Sequence, residues 1–246
     1  MRTPIKNLKK QTNSLSQIKK MIPKGSVVQT YPFYDGAVEF SLAESERYTI
    51  GCTKSRVVNE FWTYTMQEPR RVSEIAGKMF PILNENTFDL LKTNWHSYKD
   101  PFVRSALFFL LNSCSSLGMI SQGELDVKNY NPFSINELRT FQVENFSLVL
   151  LNEQDDYKTL KNVDVNLFHG GKFYYDILNT EQLIGLEESP FRHTKFIENF
   201  KDSPSVFIYE YHPRLSKQKG YSKIYLDQYG RETNEQNAKE IILHNV

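Results

Sequence analysis

The sequence predicts an α/β protein: a parallel sheet covered by helices, with an inserted helical lobe. Three observations predict it. Near the start, short β-branched runs alternate with helix-like segments in the order β-α-β-α. The middle, from Arg70 to about Leu111, keeps helical apolar spacing throughout. The last third returns to strands separated by helical segments.

In chain order, Ser14 to Met21 reads as a short helix stopped by Pro23-Lys24-Gly25. Ser26 to Thr30 reads as a strand, Ala37 to Ala43 as a helix, Tyr48 to Cys52 as a second strand, and Val57 to Gln67 as a helix. In the helical middle, Val103 to Leu111 is apolar on most faces and is expected to be buried. Ser121 to Ser134 reads as a polar loop and Ile135 to Glu144 as a helix. Strands are expected at Ser147 to Leu151, Val165 to Phe168, Val206 to Tyr211, Lys223 to Asp227 and Glu240 to His244, with a helix from Pro190 to Phe200. The division expected is an α/β domain from residues 1–69 and 135–246, with residues 70–134 as the insertion.

Bulk properties bound the function classes. The chain has 246 residues, enough for a proper core. Its longest apolar run, Ala106 to Leu111, is far too short for a membrane span. Cys52 and Cys114 stand alone, which argues against a disulfide framework or a thiolate zinc site and points to a reducing, cytoplasmic compartment. The five histidines are scattered without ligand-pair spacing, so no metal is expected.

Charge is unevenly placed. Arg2, Lys6, Lys9, Lys10, Lys19, Lys20 and Lys24 precede the first acid, Asp35, while the remaining chain holds 23 basic against 29 acidic residues. Such an arm suits contact with a phosphate backbone, with Lys9, Lys10, Lys19 and Lys20 as the candidates. The plainer alternative is a solvated amphipathic helix that buries Leu15, Ile18 and Ile22. A transit peptide is a third reading, disfavoured by the excess of Lys over Arg.

Residues 31 to 40, Tyr-Pro-Phe-Tyr-Asp-Gly-Ala-Val-Glu-Phe, link the first strand to a helix. Strand, tight turn and helix start are the usual holder of nucleotide-type cofactors, because glycines let the backbone approach and helix N–H groups point at the ligand. This turn has a single glycine, Gly36, beside a carboxylate, Asp35.

The order of motifs resembles one family, the Dam-type DNA adenine methyltransferases, including short phage members. The likeness is carried by Leu15-Ser16-Gln17-Ile18, by Pro32-Phe33 before Gly36-Ala37-Val38, by Thr49-Ile50, and by Val57-Val58-Asn59-Glu60-Phe61-Trp62. It continues through Ala106 to Asn112, Leu117-Gly118-Met119-Ile120, His193, His212-Pro213 and Glu240 to Asn245. The resemblance implies a Rossmann-like methyltransferase sheet and makes residues 70–134 similar to a DNA target-recognition lobe.

The chemistry of that family is altered at four places. The resemblance implies a Gly-x-Lys ahead of the first helix, where this chain has Lys9-Lys10-Gln11. Its glycine-rich cofactor turn is replaced by Pro32, Phe33, Tyr34, Asp35 and Gly36. The acid that would accept bonds from ribose hydroxyls is Cys52, a weak acceptor. The Asp-Pro-Pro-Tyr motif, which holds and stacks on a flipped adenine, is replaced by His169-Gly170-Gly171-Lys172. Phe173, Tyr174 or Tyr175 offer a ring, while Asp164 and Asp176 lie too far along the chain to replace the acceptor.

His169-Gly170-Gly171-Lys172 also reads as a turn, plain or phosphate-binding, though without P-loop spacing. Tyr174-Tyr175 and the Tyr209 and Tyr211 pair suit base stacking or ordinary strand packing. Three functional readings follow. The first is a degenerate methyltransferase-like protein that binds double-stranded DNA or a protein partner without a cofactor. The second is an active S-adenosylmethionine-dependent enzyme with an aberrant site. The third is a structural or assembly component, for example of a virus acting in host cytoplasm.

Overall fold

Val27 and Val28 open a β-branched run that becomes the first strand, β1 (Val27–Tyr31), buried from Val28 onward. The computed structural model describes residues 3–5, 14–79, 83–118, 120, 123–152, 160, 162–171 and 193–246. Two compact units form, one built on Ser55–Val143 and the other on residues 14–54, 144–171 and 193–246. The helical unit thus runs from Ser55 to Val143, wider on both sides than the 70–134 expected from the sequence.

The sheet unit is α/β. Its helices α1 (Leu15–Met21) and α2 (Ala37–Ala43) flank β1, followed by β2 (Tyr48–Thr53). After the helical unit come β3 (Phe146–Leu150), β4 (Val165–Gly171), α8 (His193–Asn199), β5 (Ser205–Glu210), β6 (Ser222–Leu226), β7 (Glu232–Thr233) and β8 (Glu240–His244). The eight strands form one sheet in the order β3-β2-β1-β4-β5-β8-β6-β7. The first five are parallel and β8 runs against both β5 and β6. This is a Rossmann-like sheet, as expected. The short strand β7 was not anticipated, since two residues carry no readable period.

Alternation along β4 and β5 sorts their side chains onto two apolar layers. Val165, Leu167, Val206 and Ile208 meet Ile18, Ile22, Val38 and Leu42 of α1, its C-cap and α2. Phe168, Phe207 and Tyr209 meet Phe196, Ile197 and Phe200 on and beside α8. Phe168 stacks on Phe207 with centroids 4.7 Å apart and meets Phe196 edge-on at 4.6 Å. Burying rings of this size is worth about 1.5–3 kcal/mol each.

One buried cation anchors α1. The Arg47 guanidinium donates to the carbonyls of Lys19 (2.6 Å), Ile22 (3.0 Å from Nε) and Ser45 (2.6 Å). A cation on the last carbonyls of a helix answers both its unpaired acceptors and its dipole. Ile18 and Ile22 are fully buried, so α1 behaves as the amphipathic helix of the plainer reading. Lys20 is exposed and Lys19 half-buried. Lys9 and Lys10 lie outside the described residues.

The helical unit comprises α3 (Arg56–Gln67), α4 (Pro69–Met79), α5 (Glu85–Asn94), α6 (Pro101–Cys114) and α7 (Pro132–Arg139). Ala106 to Leu111 of α6 is buried throughout, as its apolar pattern requires. Phe61 stacks on Phe108 at 4.6 Å, and Trp62 packs on Phe141 at 5.3 Å. Glu60 receives a two-pronged bond from Arg104, Nε to Oε1 at 2.7 Å and Nη2 to Oε2. The loop expected over Ser121 to Ser134 is cut short because Asn131 caps α7 and Pro132 occupies its first turn.

Candidate functional site

In an open parallel sheet, ligands sit beyond the carboxyl ends of the strands where the order reverses. Here that point lies between β1 and β4. The turn after β1 (Pro32, Phe33, Tyr34, Asp35, Gly36), Cys52 near the end of β2 and His169 in β4 all converge on it. Three segments far apart in the sequence thus meet at one end of one sheet.

The turn is closed by the chain's own aromatic rings. Tyr31-Pro32 is a cis peptide, and the Phe33 N–H donates to the Cys52 carbonyl at 2.8 Å. Phe33 is fully buried, 5.2 Å from the Phe146 ring and 6.0 Å from the Phe40 ring. Phe40 meets Phe146 edge-on at 5.1 Å, which completes a three-ring cluster. Both glycines at this end make room for these rings. A Cβ on Gly51 would come within 2.7 Å of the Phe33 ring, and one on Gly36 within 2.1 Å of the Phe40 ring. Gly36 also takes φ of 73°, the left-handed conformation that starts α2.

Asp35 is buried, and its Oδ1 accepts the Ala37 N–H at 3.2 Å. The carboxylate therefore occupies the start of α2 itself. Deeper in, the His169 Nε2 and the Glu39 Oε1 lie 2.7 Å apart, with Glu39 fully buried and His169 only 7% exposed. Burial alone would lower the imidazole's pKa. The Glu39 charge and hydrogen bond, helped by Asp35, outweigh that and raise it. The two side chains form a buried, hydrogen-bonded pair. The second oxygen of Glu39, Oε2, is buried without a hydrogen-bond partner among the described residues.

Cys52 lies in the buried cluster with Tyr31, Phe168 and Phe207. Burial pushes its thiol up to about 12, and the Glu39 charge adds to the shift. It stays a neutral thiol at neutral pH, unfit as a nucleophile. Its Sγ lies 3.9 Å from the Ile50 carbonyl, a weak donor contact within its own strand.

Several expectations change here. His169-Gly170-Gly171 is not a turn after the strand: it continues β4, with a bulge against β5 between His169 and Gly171. The β1 ladder stops at Phe168, and β5, paired with His169 and Gly171, holds this end of β4 extended, while two glycines ease the local irregularity. The phosphate-turn reading thus loses its geometry over these three residues, while Lys172 lies outside the described residues. So do Gln11, Phe173, Tyr174, Tyr175 and Asp176. Asp164 accepts the Val27 N–H at 2.8 Å, joining the start of β4 to the start of β1, far from the converging ends.

Glu39 is the functional residue that sequence reasoning missed. The available signal was an acid within Ala37-Val38-Glu39-Phe40-Ser41-Leu42-Ala43, a helix otherwise short of charge. Such an acid, buried, requires a partner, and His169 supplies it.

No family model matches this chain, and neither does any curated protein at a significant level. Among the described residues no group of three or more His, Cys, Asp or Glu is placed to hold a metal ion. No helix among them is long and apolar enough to cross a membrane.

Proposed function

We propose that this protein is a methyltransferase-like Rossmann domain that binds a macromolecular partner, duplex DNA first among them, and transfers no methyl group. The observation that carries this reading is the packing at the strand ends. A site for S-adenosylmethionine needs open space above glycines and an acceptor for ribose hydroxyls. Here Gly36 and Gly51 face Phe40 and Phe33, and the acceptor position is a neutral thiol. Asp35 adds a carboxylate beside where the donor's own carboxylate would lie. The residues present do not fit that cofactor.

A stable sheet freed from chemistry keeps its surfaces for binding. The basic start of the chain supports DNA as the partner, with Lys20 exposed on α1. Duplex binding measured by fluorescence anisotropy across a salt series tests this. The expected plot of log K against log salt is steep. Replacing Lys9, Lys10, Lys19 and Lys20 with glutamine should flatten its slope by about 3 to 4. Absence of binding at low salt would point instead to a protein partner.

A further inference from the structure

The two edges of the sheet are unlike. One is β7, two residues long, with a charged first residue and Arg231 before it. Short, charged edges are a common protection against pairing with another chain. The other edge is β3, Phe146-Ser147-Leu148-Val149-Leu150, which has no charge, no proline and no bulge. Among the described residues its ladder partner is β2 alone.

The register fixes which backbone groups of β3 face outward. The Thr49 N–H donates to the Asn145 carbonyl, and the Leu151 N–H donates to the Thr53 carbonyl, each at 2.8 Å. Odd-numbered residues therefore turn their backbone groups toward β2. Phe146, Leu148 and Leu150 turn theirs away from β2.

We propose that β3 pairs antiparallel with β3 of a second copy of this chain, centred on Leu148, joining two sheets into one. Parity permits this register: Phe146 opposite Leu150, and Leu148 opposite its own counterpart, sets outward-facing groups only against outward-facing groups. It is also the fullest overlap, forming about six backbone hydrogen bonds. Side chains agree with it. Phe146 lies on the α2 side, against Phe33 and Phe40, so Leu148 and Leu150 share that face and form a continuous apolar row across the junction. Leu150 is 41% exposed in the single chain. Charge agrees as well, since Glu144 would face the neutral Asn152 of the other copy and no like charges meet.

A five-residue strand pair falls below the roughly 1,000 Å² of a strong interface, so dissociation constants of about 10–100 µM are expected. Sedimentation velocity on the full chain over about 1–500 µM, with amide hydrogen exchange at both ends of that range, tests the pairing. The expected result is a monomer–dimer shift with rising concentration, and new protection confined to the Phe146, Leu148 and Leu150 amides. Leu150→Lys should weaken the dimer at least about tenfold without lowering the melting temperature. Leu148→Pro should do the same, because it strips an outward N–H and leaves the β2 ladder intact. A monomer at every concentration would overturn the proposal. So would a dimer indifferent to both substitutions.

Discussion

Replacing His169 with alanine is expected to destabilise the fold by about 3–5 kcal/mol, because it leaves the Glu39 carboxylate buried without its counter-charge. Glu39 is fully buried, and among the described residues one of its oxygens already lacks a partner. Replacing both residues together, Glu39→Met with His169→Leu, should cost far less than either alone, since a packed apolar pair avoids the desolvation of two charges. Urea denaturation of the four proteins of this cycle provides the test. Additive costs would show that the two side chains do not act as a pair.

The same bridge sets a pH dependence whose sign is determined. The folded-state pKa of His169 lies above its unfolded value of about 6.5. Its contribution is therefore complete below about pH 6.5 and is lost as pH rises through the folded-state value. A second group moves the same way lower down the scale. Burial, then the charge of Glu210 directly opposite on β5, raises Glu240 to about 7. That group loses stability for the fold between about pH 4.5 and 7. Measuring urea midpoints in a Glu240→Gln background isolates the histidine. There, stability should fall from about pH 6.5 upward, and the added change Glu39→Gln should abolish the fall.

Phe40→Ala is the second large effect, expected at about 3–5 kcal/mol for loss of a buried ring from a closed cluster. Its partner in argument is Gly36→Ala. In the native background that change brings a methyl group within 2.1 Å of the Phe40 ring and also strains a backbone held at φ 73°. With Phe40 already alanine, only the backbone strain of about 1–2 kcal/mol should remain. The two substitutions should therefore be strongly non-additive in chemical denaturation. Additivity would mean that Gly36 is not there to accommodate Phe40, and the ring-filled turn would lose its main support.

Much of the fold was readable because its signals are local. Val27-Val28 and Val206-Phe207-Ile208 have the composition of buried strands, and Ala106 to Leu111 could only be a buried helix. The start of α7 was misplaced because Asn131-Pro132 is loop chemistry and helix-start chemistry at once. Only the reciprocal bonds between Asn131 and Ser134 decide between them. The candidate site was readable in part. Its position followed from the strand-turn-helix pattern after β1, in which the carboxylate of Asp35 stands beside a single glycine. What fills it was hidden. Phe146 lies more than a hundred residues from Phe33, and the Glu39–His169 bridge spans 130 positions. Contacts of that range leave no trace in local periodicity. The extension of β4 through Gly171 was hidden for a related reason, since two glycines spell a turn unless a neighbouring strand, here β5, holds them extended.

The proposed function requires a strand-end turn that packs on its own rings and takes up no methyl donor. Isothermal titration of S-adenosylmethionine into the full-length protein tests it most directly. The expected result is no saturable heat up to about 1 mM ligand, which corresponds to binding weaker than about 4 kcal/mol. Saturable binding at micromolar concentration would contradict the claim, because Phe33 and Phe40 would then have to yield a pocket that their packing denies.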